Sequence, residues 1–176
     1  MIKKVSIIIV TWNSAIHILH CLESLRNQTF QNFEIIIVDN GSSDNAINNL
    51  RSIWPSLDIK IEKLDSNKGF AIANNIGANL AEGKWLALLN ADAFPLPTRL
   101  EHLLRAAEKY PNSFFASQQI QANSPSILDG EGDTYHVSGL AWRRSYGLPI
   151  SKNKIDEEVF STCAAAALYP RKEFLE

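Results

Sequence analysis

Three short stretches hold the residues that could do chemistry. The first, Lys84 to Pro95, is an apolar run that ends abruptly in Asn90-Ala91-Asp92, with Pro95 and Pro97 preventing any continuation of a ladder. A run so uniformly apolar suits a central parallel strand covered on both faces. A carboxylate at the C-terminal end of such a strand points into the crevice where open α/β sheets bind ligands, so Asp92 is placed to face a metal-bridged diphosphate. Asn90 and Asp92 equally suit a turn that caps a helix starting near Thr98. The second stretch, Phe33 to Val38, closes in Asp39-Asn40-Gly41-Ser42-Ser43-Asp44, and the third, Lys4 to Val10, closes in Thr11-Trp12-Asn13-Ser14. C-termini of parallel strands line one edge of a sheet. The three polar clusters therefore converge on one cleft, and that convergence favours a binding site over an isolated cap.

The elements between these clusters must hold them in place. Ser14 is an N-cap candidate for a helix running to Asn27, with Ile16, Leu19, Leu22 and Leu25 inward. His17 and His20 share a face without acidic or cysteine company and read as solvated surface. Ser43 or Asp44 can cap a helix to about Trp54, and Ile59 to Lys63 alternates like a strand near an edge. Ala71 to Ala81 is a helix of small residues able to lie close to neighbouring backbone. Thr98 to Tyr110 is amphipathic, with Leu100, Leu103, Leu104 and Ala107 inward. Phe114 to Ile120 reads as a fifth strand. From residue 121 to 154 the pattern loosens into loops and short strands, with Trp142, Tyr146 and Leu148 expected to be buried. Phe160 to Tyr169 reads as a further strand beside the sheet. Alternating strands and helices predict an α/β fold, a mostly parallel sheet with right-handed crossovers.

Composition narrows the function classes. A chain of 176 residues, 45% hydrophobic, is one ordinary domain with material for a real core. A net charge of -2 with no Lys/Arg stripe argues against a nucleic-acid surface. No apolar run approaches the roughly 18 residues of a membrane helix, and no cleavable signal pattern precedes the first strand. Cys21 and Cys163 lack metal-type spacing, so the default is a reduced, cytoplasmic chain with Cys21 in the core beside Leu22 and Leu25. The last residues read as the start of a helix, which suggests a piece of a longer protein.

Val5 to Asn13, the turn Val38-Asp39-Asn40-Gly41-Ser42-Ser43-Asp44, Asn67-Lys68-Gly69-Phe70, Asn74-Asn75-Ile76-Gly77 and Leu88-Leu89-Asn90-Ala91-Asp92 together resemble family 2 glycosyltransferases of the GT-A type. The resemblance covers essentially the whole chain in order, and the Asn-Lys-Gly-Phe and Leu-Asn-Ala-Asp variants look most like a rhamnosyltransferase-like branch. Asp129 to Tyr146 and Phe160 to Tyr169 are similar to that branch's second half. The implied fold is a Rossmann-like, mostly parallel sheet flanked by helices. Residues 1–97 would form the nucleotide-sugar-binding half, and 98–176 an irregular acceptor-side half, incomplete at its C-terminus.

The implied reaction is inverting transfer of a sugar from a UDP or dTDP donor to an acceptor hydroxyl in surface polysaccharide assembly. The acceptor would be a glycan or lipid-linked, with peripheral membrane contact at the inner face. Asp39 would accept the N3–H of uracil or thymine. Trp12 would offer the base a flat face, with a core aromatic as the alternative, and Thr11 and Asn13 would add polar atoms. Gly69 would let the donor approach a helix N-terminus, and Asn75 would brace the strand ends. Asn90, Ala91 and Asp92 match the family's D-x-D signature, Asp92 holding Mg²⁺ or Mn²⁺ against the diphosphate. Asn90 replaces the first Asp, which removes one negative charge. Cys163 stands where the branch usually has Gly. The general base is expected in an acidic motif past Glu176, so these residues are expected to bind donor without efficient transfer. Asp129, Glu131 and Asp133 then read as loop or acceptor-side residues.

Two other readings compete. A dinucleotide oxidoreductase also closes strand two with an acid, but it needs G-x-G-x-x-G after strand one. Here that position holds Thr11-Trp12-Asn13-Ser14-Ala15-Ile16, and no Walker A occurs. A non-catalytic nucleotide-sugar-binding module shares every donor-side feature.

Overall fold

The β-branched run at the start of the chain becomes β1 (Val5–Thr11), an inner strand of a six-stranded sheet. The computed structural model describes residues 4–151 and 156–176. β1 pairs in parallel with β2 (Phe33–Asp39) on one side and β4 (Trp85–Leu89) on the other. β3 (Ile59–Lys63) extends the sheet in parallel beyond β2 and is its edge, as its alternating pattern predicts. Beyond β4 the sheet continues with β10 (Ala166–Pro170), antiparallel to both β4 and the short edge strand β5 (Phe115–Ala116). The sheet is therefore parallel except where β10 enters, as in many doubly wound folds.

Both faces are covered. Val5, Ile7 and Ile9 of β1 and Ile35 and Ile37 of β2 pack with α1 (Ala15–Arg26) and α4 (Arg99–Lys109). Ile8, Ile36, Val38, Leu86 and Leu88 pack on the other face, with Ala73 and Ala78 of α3 (Phe70–Leu80). Full burial of both side-chain sets is why these strands read as continuous apolar runs. The small residues of α3 do what the sequence predicts: a Cβ on Gly77 would lie 2.6 Å from Ile8 Cγ2, so no larger residue lets the helix come this close.

Four expectations need correction. The buried face of α1 is Ile18, Cys21, Leu22 and Leu25, whereas Ile16 and Leu19 are exposed. A strict three-residue repeat lags the helical period by about 60° per step, so Ile16, Leu19, Leu22 and Leu25 cannot share one face. The helix expected from Asp44 to Trp54 shrinks to α2 (Leu50–Ile53), because Asn45 and Asn49 both take left-handed backbone, each at φ 59°. The fifth strand divides. β5 stays in the main sheet, while β6 (Gln119–Gln121) leaves it to pair with β7 (Ser124–Gly130). Trp142, Tyr146 and Leu148 are exposed, since the hairpin of β8 (Asp133–Tyr135) and β9 (Ala141–Arg143) has no layer over it. Within the loosely patterned second half, residues 152–155 lie outside the described residues. The chain closes in α5 (Arg171–Leu175). Among the described residues no helix is long and apolar enough to cross a membrane.

Candidate functional site

The strand register brings the three polar clusters level. Thr11 is the partner of Asp39, and Ile8 that of Leu88, so the ends of β2, β1 and β4 meet at one edge of the sheet. With neighbouring strands about 4.8 Å apart, the outer two ends are roughly 10 Å from each other. The N-terminus of α3 opens onto the same edge, because that helix follows β3 and returns the chain to β4.

Asp39 is buried, and its Oδ1 accepts the amide of Ser42 at 3.2 Å. One oxygen thus shapes the Asn40–Asp44 turn, and the other accepts no hydrogen bond among the described residues. Thr11 is buried with a hydroxyl that has no partner there. Trp12 is 56% exposed, which rules out the core-aromatic alternative and leaves its ring face open at the cleft. Asn13 is not free in the same way. At φ 51° it turns back, its Oδ1 accepts the Ser43 amide at 2.9 Å, and its own amide donates to Ser42 Oγ at 3.0 Å. It joins the first two loops. Asp44 adds to that joint, accepting from the amides of Ala15 at 2.8 Å and Ala46 at 3.1 Å, and so caps α1 in place of Ser14.

Gly69 caps α3 at φ 85°, a conformation open to glycine, and a Cβ there would meet nothing within 4 Å. The space beside Gly69 is clear. Its loop is clamped by Asn40, a residue whose role the sequence reading missed. Asn40 Nδ2 donates to Asn67 Oδ1 at 2.9 Å, and Asn40 Oδ1 accepts the Lys68 amide at 2.8 Å. The motif spelled out Asn40 and Asn67, but nothing in it says that the two would meet. Asn75 does not brace the strand ends. It lies on the exposed side of α3, while its neighbour Asn74 is the buried one and bonds Phe70 O at 2.9 Å.

At the end of β4, the Asn90 amide donates to Ala165 O at 2.9 Å, Ala91 is buried, and Asp92 is exposed. The Asp92 carboxylate accepts no hydrogen bond among the described residues. The helix it was alternatively expected to cap, α4, is served by Gln28, whose Oε1 accepts the Leu100 amide at 3.1 Å. That removes the capping alternative. Cys21 lies beneath the turn, with its thiol 3.9 Å from Asn90 O. Burial pushes that thiol up to about 12, with Arg99 opposing and Asp92 adding, so it stays protonated and inert. Arg99 donates through Nε to Ser117 Oγ at 2.9 Å, and its other two nitrogens are buried without a partner among the described residues. Burial pulls its guanidinium down to about 10. His17 and His20 are exposed as expected, His20 stacking on Phe94 with centroids 4.0 Å apart.

No group of three or more His, Cys, Asp or Glu among the described residues could hold a metal unaided. Asp92, free and exposed, with Asn90 two residues before it, suits a hard cation whose remaining ligands come from a bound diphosphate and water.

The chain matches the glycosyl transferase family 2 profile over residues 6–175. An uncharacterized glycosyltransferase of Haemophilus influenzae is 33% identical over 130 residues, 74% of this chain and 42% of the relative. The succinoglycan biosynthesis protein ExoO of Rhizobium meliloti is 31% identical over 131 residues, 74% of this chain and 36% of the relative. The match thus spans less than half the length of these relatives. Among solved structures, S. aureus TarS superposes with a TM-score of 0.65 at 23% identity, covering 71% of this chain and 38% of that one. TarS has also been solved with UDP and with UDP-GlcNAc. The mannosyltransferase PcManGT of Pyrobaculum calidifontis, solved with GDP-Man and Mn²⁺, gives a TM-score of 0.62 at 22% identity over 66% of this chain and 35% of that one. With strand ends, sheet order and profile in agreement along almost its full length, the chain belongs to glycosyl transferase family 2 and has the GT-A fold.

Proposed function

We propose that the protein transfers a sugar from a uridine or thymidine diphosphate donor to an acceptor hydroxyl, with inversion at the anomeric carbon. The observation that carries this reading is the convergence of the open Trp12 ring, the buried Asp39 carboxylate and the unpartnered Asp92 on one sheet edge. A nucleoside diphosphate laid across that edge puts its base against Trp12 and Asp39 and its phosphates toward Asp92 and the N-terminus of α3. The second oxygen of Asp39 is left for an N3–H, which uracil and thymine carry and cytosine lacks.

Asp92, assisted by the amide oxygen of Asn90, would hold Mg²⁺ or Mn²⁺. When bound, the ion offsets charge that builds on the leaving diphosphate. Asn90 in place of an acid leaves the site one negative charge poorer, so binding of ion and donor are strongly interdependent. Residues 1–97 form the donor half in this reading and 98–176 the acceptor side. The relative named for succinoglycan biosynthesis supports a role in polysaccharide assembly, and in this reading the reaction takes place on the cytoplasmic side of the membrane. A dinucleotide oxidoreductase is disfavoured by the same edge, since Trp12 and Asn13 occupy the place of its glycine turn.

Calorimetric titration with UDP, dTDP, GDP, CDP and NAD, each with and without Mn²⁺, tests the proposal. UDP or dTDP is expected to bind most tightly and only with metal at full strength. Tighter binding of CDP or NAD would overturn it.

A further inference from the structure

The second half carries a pocket that the donor site does not use. It has a volume of about 420 Å³ and is lined by Asp133, Ala141, Trp142, Arg143, Phe160 and Ser161. We propose that this pocket binds a neutral pyranose of the acceptor glycan, a short way back from the hydroxyl that receives the donor sugar. The proposal rests on the transferase reading above.

The hairpin register builds the pocket. Asp133 lies opposite Arg143, and Tyr135 opposite Ala141, so these four share one face of β8–β9. The Tyr135 ring stacks on Phe160 with centroids 4.9 Å apart and planes 16° from parallel. A flat aromatic wall therefore stands beside a carboxylate and a guanidinium, and the small side chain of Ala141 leaves room between them. Phe160 is 68% exposed, so the wall is open to a ligand. An aromatic face attracts the polarised C–H face of a pyranose, while planar ionised groups take its hydroxyls in charge-assisted hydrogen bonds. A lipid tail would leave those ionised groups desolvated and unpaired.

The charge selects a neutral sugar. Arg143 is already paired with Asp129. Among the described residues Asp133 pairs with no cation: its Oδ2 accepts the Ser161 hydroxyl at 2.8 Å, and its amide donates to Ser161 O at 3.0 Å. With Arg143 neutralised by Asp129, a uronic acid would meet the Asp133 carboxylate with no described cation left to offset it. The same bonds fix the pocket relative to the donor edge. Ser161 is four residues from Ala165, whose carbonyl accepts the Asn90 amide at 2.9 Å. Four residues span at most about 14 Å, which is within reach of a short oligosaccharide.

The test uses the indole N–H resonance of Trp12 and the backbone amide resonance of Trp142, which lies between Ala141 and Arg143 of the pocket, in the 176-residue chain. The probes are methyl glucopyranoside, methyl galactopyranoside, methyl rhamnopyranoside and methyl N-acetylglucosaminide, with methyl glucuronide as the charged control. At least one neutral pyranoside is expected to shift Trp142 saturably at millimolar concentration while Trp12 stays still. UDP is expected to shift Trp12 and leave Trp142 still. Phe160→Ala, at an exposed ring, is expected to weaken the saccharide response about tenfold with the UDP response unchanged. Asp133→Asn, which preserves size, serves as the second variant. A Trp142 silent toward every neutral pyranoside, tighter binding of the glucuronide, or affinity untouched in both variants would overturn the pocket. Silence of Trp12 toward UDP would instead overturn the transferase reading and leave the pocket standing as a saccharide site.

Discussion

Asp39 and Asp92 are both strand-end carboxylates, yet their surroundings give them opposite tasks. Asp39 is buried and already spends one oxygen on the Ser42 amide, so in the proposed reading only the other is left for a base. Asp39→Asn keeps an acceptor for Ser42 but turns the second position into a donor. That variant is expected to lose UDP affinity about tenfold or more and to narrow or reverse the preference over CDP, as measured by competition titration. Equal loss toward both nucleotides would show that Asp39 only shapes the turn. Asp92 is exposed and touches no donor among the described residues. Asp92→Ala is expected to abolish the Mn²⁺ enhancement of nucleotide binding with Tm unchanged, since no core contact is removed. A variant that keeps the metal effect would place the ion elsewhere. Both carboxylates were legible in the sequence because a buried strand ending in a polar cluster has a known direction. Asn75 was not: adjacent asparagines on a helix differ by about 100°, and the motif alone does not say which of Asn74 and Asn75 turns inward.

The loop that carries Asp92 into α4 is held by a residue that follows a different helix. Gln28, buried just past the end of α1, accepts the Leu100 amide and donates to Leu96 O at 2.8 Å. Thr29 adds a second tie, its amide donating to Pro97 O at 2.8 Å. Gln28→Ala removes an acceptor from the first turn of α4 and leaves buried carbonyls unpaired, at a cost of about 2–3 kcal/mol. Thermal unfolding should fall by roughly 5–10 °C for a chain of this size, and metal-dependent UDP binding should weaken as the 90–98 loop loosens. An unchanged Tm would mean that water replaces the side chain freely. The sequence offered no sign of this, because a lone Gln after a helix has no pattern until the fold brings position 100 beside it. The parallel core strands and the inward face of α4 were legible from apolar runs and from the spacing of Leu100, Leu103, Leu104 and Ala107. The exposed second half was misread because aromatic residues signal burial by default, and here small two-stranded sheets leave them uncovered.

The two ends of the central sheet have separate duties, and this yields a pH dependence that leaves the site alone. Opposite the donor edge, Glu34 is buried near the start of β2. It accepts from Ser6 Oγ at 2.6 Å and the Glu82 amide at 2.8 Å, and pairs with Lys60 at 2.8 Å. Ser6 Oγ in turn accepts the Gly83 amide at 2.8 Å, so one carboxylate joins β1, β2, β3 and the entry to β4. Burial alone would raise the Glu34 carboxyl. The hydrogen bonds from Lys60, Ser6 and the Glu82 amide, with the Lys60 charge, outweigh it and hold the carboxyl below its usual 4.5. A group whose folded value is depressed stabilises the fold above its unfolded value and loses that contribution as pH falls through the folded one. Stability is therefore expected to be level near neutral pH and to decline below about pH 4.5. Glu34→Gln cannot ionise and leaves Lys60 without its buried partner, costing about 2 kcal/mol near neutrality. That cost should shrink on acidification until the two unfolding curves converge, while UDP affinity at neutral pH stays that of the parent chain. Denaturant melts of both proteins between neutral pH and about pH 3 decide it: parallel curves, with the gap unchanged at low pH, would show that the Glu34 charge is not what ties these strands together.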